Sequence, residues 1–234
     1  TLNHPAARPF MCTVRAVSPG DVGKYFLLLA SPSCIGHANA RGKEKTHHDA
    51  ARSTAHDVTD FAEATEPFVG IIENIPEMLR WRCYGSWRTR WSELGYRVSE
   101  QIIDAADAGV AQHRRRLFVV VSKTRKPIVI PQPKVPHVSA RSCLDMDGGN
   151  WSPWREWRSE ATRARITQAQ IDVGPDVLAP YYGSGSGLTG RSLDRPIGTL
   201  TTVDRYALVR GDLARMLSVE EMLRLSSFPV DYKL

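Results

Sequence analysis

Three short groups of residues in this 234-residue chain carry side chains able to do covalent chemistry. The first is Ser31-Pro32-Ser33-Cys34, a thiol at the end of an apolar run and ahead of a glycine-containing stretch. Only the thiolate is a nucleophile, so a reactive cysteine needs access and surroundings that favour the anion; standing alone, Cys34 reads as a small buried residue. The second group, Glu73-Asn74-Ile75-Pro76, closes another apolar run with a carboxylate, and its bland alternative is a surface turn. The third, Gln112-His113-Arg114-Arg115-Arg116, precedes a third apolar run and by itself could be a solvated charge cluster. Together they offer a nucleophile, an acid–base group and fixed cations.

These residues must be held by something, and the hydrophobic pattern indicates what. Residues 25–30 (YFLLLA) form a short apolar run ended by Ser31-Pro32, which predicts a buried strand. Over 49–64, Ala55, Val58, Phe61 and Ala62 recur at helical spacing, and Pro67 closes the segment. A second strand is predicted over 68–72 (FVGII), giving a strand, helix, strand unit. A Trp- and Arg-rich stretch reads as helix through Leu94 and ends at Gly95; 96–103 alternates like a strand, and 117–121 (LFVVV) is a further buried one. Alternating strands and helices predict a mostly parallel sheet covered on both faces, which binds ligands at the carboxyl ends of its strands. Cys34 and Glu73 fall just past such ends.

From 122 to about 202 the chain turns to Pro, Gly, Arg and Trp with weak periodicity, predicting a smaller, loop-rich domain; 212–227 returns to helical patterning. The apolar fraction is 42%, with no run near the roughly 18 residues of a membrane span. A formal charge of +6, carried mostly by arginine, favours a polyanionic partner. The cysteines at 12, 34, 83 and 143 are scattered, without zinc-ligand spacing, and a reduced, cytoplasmic setting is expected.

The three groups, in this order, resemble the Pro-Cys, Glu-Asn-Val and Gln-x-Arg-x-Arg motifs of the DNA cytosine-5 methyltransferases. Further resemblance lies in Gly95-Tyr96, in 105–109 (AADAG), in Arg195-Pro196 with Thr199-Leu200, and most specifically in 215–232 (RMLSVEEMLRLSSFPVDY). It covers nearly the whole chain. It implies an α/β fold with a Rossmann-like methyltransferase sheet and a target-recognition domain: catalytic over 1–121 and 203–234, recognition over 122–202. The implied reaction is methyl transfer from S-adenosylmethionine to carbon 5 of a cytosine flipped out of double-stranded DNA, as in restriction-modification. Cys34 would add to carbon 6, Glu73 would act at N3 and Arg116 near O2, while Arg114 would order the site or hold phosphate. Ser33 is the expected cofactor contact. Gln112, Thr199, Arg155 and Arg158 are the expected DNA contacts, and no metal is expected.

Departures are equally visible. Ser33 stands where the family usually has proline, Ala38 near a family serine, and Thr13 at an acidic cofactor position. The family's Phe-x-Gly-x-Gly cofactor loop and closing Gly-Asn-x-Val motif are not found, and 183–187 (GSGSG) reads as a flexible loop instead. The expectation is therefore an incomplete gene product, or else one subunit of a split enzyme whose second chain supplies the cofactor loop; this segment alone should be inactive. Rival readings are an RNA cytosine methyltransferase and a catalytically silent DNA-binding subunit. The long insert before Arg215 argues against the first, and the intact Cys34, Glu73 and Arg116 set against the second. His47, His48 and His56 read as solvated, Trp81, Trp87 and Trp91 as core packing on one side of a helix, and Trp151, Trp154 and Trp157 as either core or DNA-facing.

Overall fold

A computed structural model describes residues 2–37, 46–132, 134–157, 159–180, 190–200 and 206–233, with the side chains of 46, 47 and 157 excepted. The chain divides into two compact units, 1–103 with 115–132 and 104–114 with 133–234.

The first unit is built on a sheet of β1 (Leu27–Ala30), β2 (Val69–Asn74), β3 (Arg97–Asp104) and β4 (Arg115–Ser122), in the order β1-β2-β4-β3. A four-residue turn of helix, α1 (Pro19–Val22), precedes β1; α2 (Thr46–Thr65) connects β1 to β2, and α3 (Tyr84–Glu93) lies between β2 and β3. Helix α2 forms where the periodic apolar residues predict it, burying Ala55, Val58 and Ala62. Trp87 and Trp91, one turn apart on α3, are fully buried with them, and the Trp87 indole N–H donates to the Ala55 carbonyl. Trp81 packs against this core from outside the helix, ahead of its first turn. Gly95, at φ +84°, ends the α3 region in a conformation that favours glycine.

The predicted parallel sheet is only partly so. β1 and β2 pair in parallel with Ala30 opposite Ile72, the expected strand–helix–strand geometry, but β4 runs antiparallel to β2 with Glu73 opposite Phe118. No crossover helix joins β3 to β4, and a parallel return would need one. β1 is also an edge strand rather than a buried one: Phe26, Leu27 and Leu29 are 67%, 45% and 68% exposed.

The second unit contains β5 (Ser152–Pro153), β6 (Asp176–Pro180), β7 (Arg191–Ser192), β8 (Tyr206–Arg210) and β9 (Leu213–Met216) in the order β5-β9-β8-β6-β7. Helices α4 (Trp154–Trp157) and α5 (Glu160–Val173) precede β6, and α6 (Val219–Leu225) follows β9. Val177, Val209 and Ala214 are fully buried in its strands with Ile166 and Ala169 of α5, while Leu178 and Leu208, pointing to the other face, are buried in a second cluster with Leu193, Ile197 and Leu225. The region expected to be loop-rich is thus a sheet-and-helix layer. Residues 206–216, expected to add to the first sheet, form the second sheet's β8–β9 hairpin around Gly211.

The α6 end of this unit is fastened by a buried ion pair. The Arg215 guanidinium donates to both Glu221 carboxylate oxygens at 2.8 and 2.6 Å and to the carbonyls of Met216 and Asp145, and it lies 5.0 Å from the Trp151 ring. Glu221 is 1% exposed and completes a capping box with Ser218. Burial pushes the Glu221 carboxyl up, but the hydrogen bonds from Arg215 and from the Ser218 and Asp145 N–H groups outweigh it and hold it below the usual carboxylate range. A depressed folded value means stability that is present above the unfolded carboxylate range and is lost as pH falls through the folded value. Arg215→Ala should cost roughly 3–5 kcal/mol by stranding a buried carboxylate. Urea unfolding followed by circular dichroism should show that loss. It should also show wild-type stability falling below about pH 4, a dependence that Glu221→Gln flattens.

Candidate active site

The carboxyl ends of β1 and β2 lie side by side, and their side chains assemble a polar site in the first unit. Asn74, the last residue of β2 and 2% exposed, donates from Nδ2 to the Pro32 carbonyl at 3.0 Å and accepts the Ile75 N–H at 2.8 Å. It thereby ties the segment leading into Cys34 to the strand that carries Glu73. Beyond Pro32, the Ser33 N–H donates to Thr54 Oγ1 of α2 at 2.9 Å. The His37 N–H donates to the Cys34 carbonyl at 2.9 Å, closing a tight turn. Cys34 itself is a free, exposed thiol.

Glu73 and Arg116 are brought together. Residue pairing across β2 and β4 puts Glu73 opposite Phe118, so Arg116, two residues earlier, projects from the same face; its Nε lies 2.9 Å from Glu73 Oε1. The side chains are 28% and 17% exposed, partly sheltered yet reachable, and Arg116 also donates to the Arg115 carbonyl. A carboxylate and a guanidinium fixed side by side at a strand end can meet neighbouring polar atoms on one edge of a planar ring.

Ser33 lines a mostly apolar cavity of about 830 Å³ together with Thr13, Val14, Leu29, Asp57 and Phe61. Asp57 is held by Arg15 Nε at 2.7 Å. The volume and the few polar groups suit a ligand of nucleoside size.

In the second unit the outcome differs from expectation. Gln112 is 1% exposed and its amide is spent internally: Nε2 donates to Ser226 Oγ and Oε1 accepts the Leu200 N–H. It anchors a turn and does not present its amide at a surface, because an unpaired buried amide would be costly. Thr199 Oγ1 donates to the His113 carbonyl at 2.8 Å, serving the same turn. His113 Nδ1 lies 3.0 Å from Asp104, whose other oxygen accepts the Arg114 N–H; the Arg114 side chain is exposed. Arg155 is exposed, but it pairs with Asp212 at 2.9 Å and stacks 4.3 Å above Trp154. Arg158, residues 183–187 and Ala38 lie outside the described residues.

Trp154 is fully buried and bonds the Gly211 carbonyl, so it is core and not DNA-facing; Trp151 is half-buried in the same unit. His48 is 2% exposed rather than solvated, and His56 meets Trp81 edge-on. Among the described residues no group of three His, Cys, Asp or Glu side chains could hold a metal, and no helix is long and apolar enough to cross a membrane. Thr54 and Arg52, the α2 residues that reach the Cys34 turn, have no sequence signal beyond being polar on an amphipathic helix.

The first unit is an α/β sheet with a thiol, a carboxylate and an arginine gathered at its strand ends. Residues 18–234 match the family model described as C-5 cytosine-specific DNA methylase, and the chain belongs to that family. It is similar to the Type II methyltransferase M.NgoBI of Neisseria gonorrhoeae, with 23% identity over 94% of this chain and 69% of the relative. M.HaeII of Haemophilus aegyptius is also 23% identical, again over 94% of this chain and 69% of the relative. Among solved structures, the DNMT2 mutant of Spodoptera frugiperda superposes with a TM-score of 0.61 at 12% identity, covering all of this chain and 78% of its own, which shows a common fold.

Asn74→Ala should remove both hydrogen bonds and strand the half-buried Pro32 carbonyl, at a cost of about 1–3 kcal/mol. Differential scanning calorimetry should find the thermal midpoint lowered by several degrees. An unchanged midpoint would mean that Asn74 does not hold the strand ends.

Proposed function

We propose that this chain is the catalytic and recognition portion of a DNA cytosine-5 methyltransferase, with Cys34 as its nucleophile. The observation that carries the reading is the Glu73–Arg116 pair at 2.9 Å on the strand tied through Asn74 to the Cys34 segment. Carbon 5 of cytosine is weakly nucleophilic, and thiolate addition at carbon 6 converts it to an enamine. The Cys34 sulfur forms the bond to carbon 6 while Glu73, on the N3 edge, and Arg116, near O2, stabilise the charge that moves onto the ring. S-adenosylmethionine, when bound, supplies the methyl group that carbon 5 takes up. Loss of the carbon 5 proton then expels the Cys34 thiolate and restores the aromatic ring. The target carbon is inaccessible in a stacked duplex, so the cytosine is flipped into the site at a cost of a few kcal/mol.

The division of labour falls on the two units: catalysis in the first, with Cys34, Glu73 and Arg116, and recognition in the second, whose sheet takes in 206–216 as well as 176–180. Arg114 orders the site or holds phosphate; Arg155 and Arg158 meet phosphate, Arg155 exchanging Asp212 for it. Gln112 and Thr199 support the DNA-facing segment from within. The cavity beside Ser33 is where the nucleoside part of the cofactor fits. The open, apolar edge of β1 supports a further strand there, from a longer product or a second chain bearing the cofactor loop. Methylation within restriction-modification and a cytoplasmic setting belong to the same proposal.

Glu73→Gln, made on the chain with its flanking coding sequence included, should lower single-turnover methylation by roughly 10²–10⁴-fold. Duplex affinity measured by fluorescence anisotropy should stay near wild type. Affinity lost with the rate retained would make Glu73 structural and remove the proposed site.

A further inference from the structure

The residues on either side of Cys34 are held by one element that takes no part in the chemistry. Thr54 Oγ1 gives its proton to the Ala51 carbonyl at 2.7 Å, which leaves a lone pair fixed on the Ser33 N–H at 2.9 Å. One half-turn earlier on α2, Arg52 donates from Nε to the Gly36 carbonyl at 2.9 Å and from Nη1 to Asp49 at 2.7 Å, with its side chain only 13% exposed. Gly36 lies so close to α2 that an added Cβ would sit 2.4 Å from the His48 carbonyl oxygen and 2.6 Å from Arg52 Cγ. The turn between these anchors closes through the His37 N–H to the Cys34 carbonyl, and the buried His37 ring meets Trp81 edge-on at 5.6 Å. Only Cys34 and Ile35, between the two anchors, are left exposed.

We propose that α2 is the positioning element of the nucleophile, with Thr54 and Arg52 gripping the main chain on its two sides so that the thiol is presented outward in one conformation. This rests on the reading of Cys34 as nucleophile. A nucleophile on an unanchored loop would have to be ordered at each turnover, and reaction rates fall steeply when the attacking atom strays by about an ångström. Arg52 is suited to the task because two separate nitrogens of its rigid fork, Nε and Nη1, bind Gly36 and Asp49, whereas a lysine offers all its donors from one freely rotating point.

The test uses the 234-residue chain without DNA or cofactor, following amide hydrogen exchange with residue-level fragmentation. Thr54→Val should speed exchange at the Ser33 amide about tenfold, and Arg52→Ala should do the same at His37, while the amides of β2 and β4 keep wild-type rates. Thr54→Ser, which retains the hydroxyl, should restore the Ser33 amide, and Arg52→Lys should restore His37 only in part. Unchanged exchange at both amides in the valine and alanine variants would overturn the proposal. So would Thr54→Ser behaving like Thr54→Val, or a loss of protection spread evenly through β2 and β4, since either would make the contacts merely structural. Because the chemistry is absent from this measurement, failure here leaves the assignment of Cys34 standing, and failure of covalent capture leaves the anchored turn standing.

Discussion

The arrangement of the strand ends in the first unit depends on one buried amide. Asn74 closes β2 and spends its side chain on the Pro32 carbonyl and the Ile75 N–H, so the ends of two parallel strands become one rigid edge. The segment that leads to Cys34 leaves that edge from β1, and Glu73 stands beside Asn74 on β2. Neither the thiol nor the carboxylate could keep its place if the strand ends were free to separate. In a parallel pair the chain leaves the sheet at the same end of each strand, which is why such sheets gather polar groups there.

Around that edge the first unit divides its two tasks between the faces of the sheet. The face carrying Leu28, Ile72 and Val121 is sealed by α2 and α3 with Trp87 and Trp91, and this rigidity is what allows Thr54 and Arg52 to act on the loop beyond. The opposite face carries Glu73 and Arg116 and stays partly open. In the second unit a comparable economy is seen at Arg215, which satisfies Glu221, Met216 and Asp145 together and thereby joins β9, α6 and the segment at 145. A buried pair of this kind is costly to break by halves and so enforces one arrangement of the elements it joins.

Much of the first unit was legible in the sequence because its elements are long enough to show a period. Ala55, Val58 and Ala62 revealed α2, the runs at 25–30 and 68–72 revealed the parallel pair, and the residues closing those runs are the ones the strand ends bring close together. The second unit was not legible, for physical reasons. Its strands have two to five residues, too few to show alternation, and β5 and β6 contain Pro153 and Pro180. Leu213 and Met216 mimicked a helical spacing, yet they are the exposed residues at the two ends of β9, and the buried Ala214 and Arg215 between them point to opposite faces of the strand. Sequence placed Gln112 in a group that resembles a family motif, but it could not show that both ends of its amide would be spent on Ser226 and Leu200. Nor could it distinguish Trp154 in the core from a tryptophan facing DNA, since burial is decided by partners distant along the chain.

The account stands on Cys34 forming the bond to the base. The most direct measurement is covalent capture on duplexes carrying 5-fluorocytosine, whose fluorine cannot leave as a proton, using the chain with its flanking coding sequence and S-adenosylmethionine. Peptide mapping by mass spectrometry would then locate the attachment. The account requires one adduct on the peptide containing Cys34, abolished by Cys34→Ser. An adduct that survives Cys34→Ser, or that maps to Cys12, Cys83 or Cys143, would contradict it.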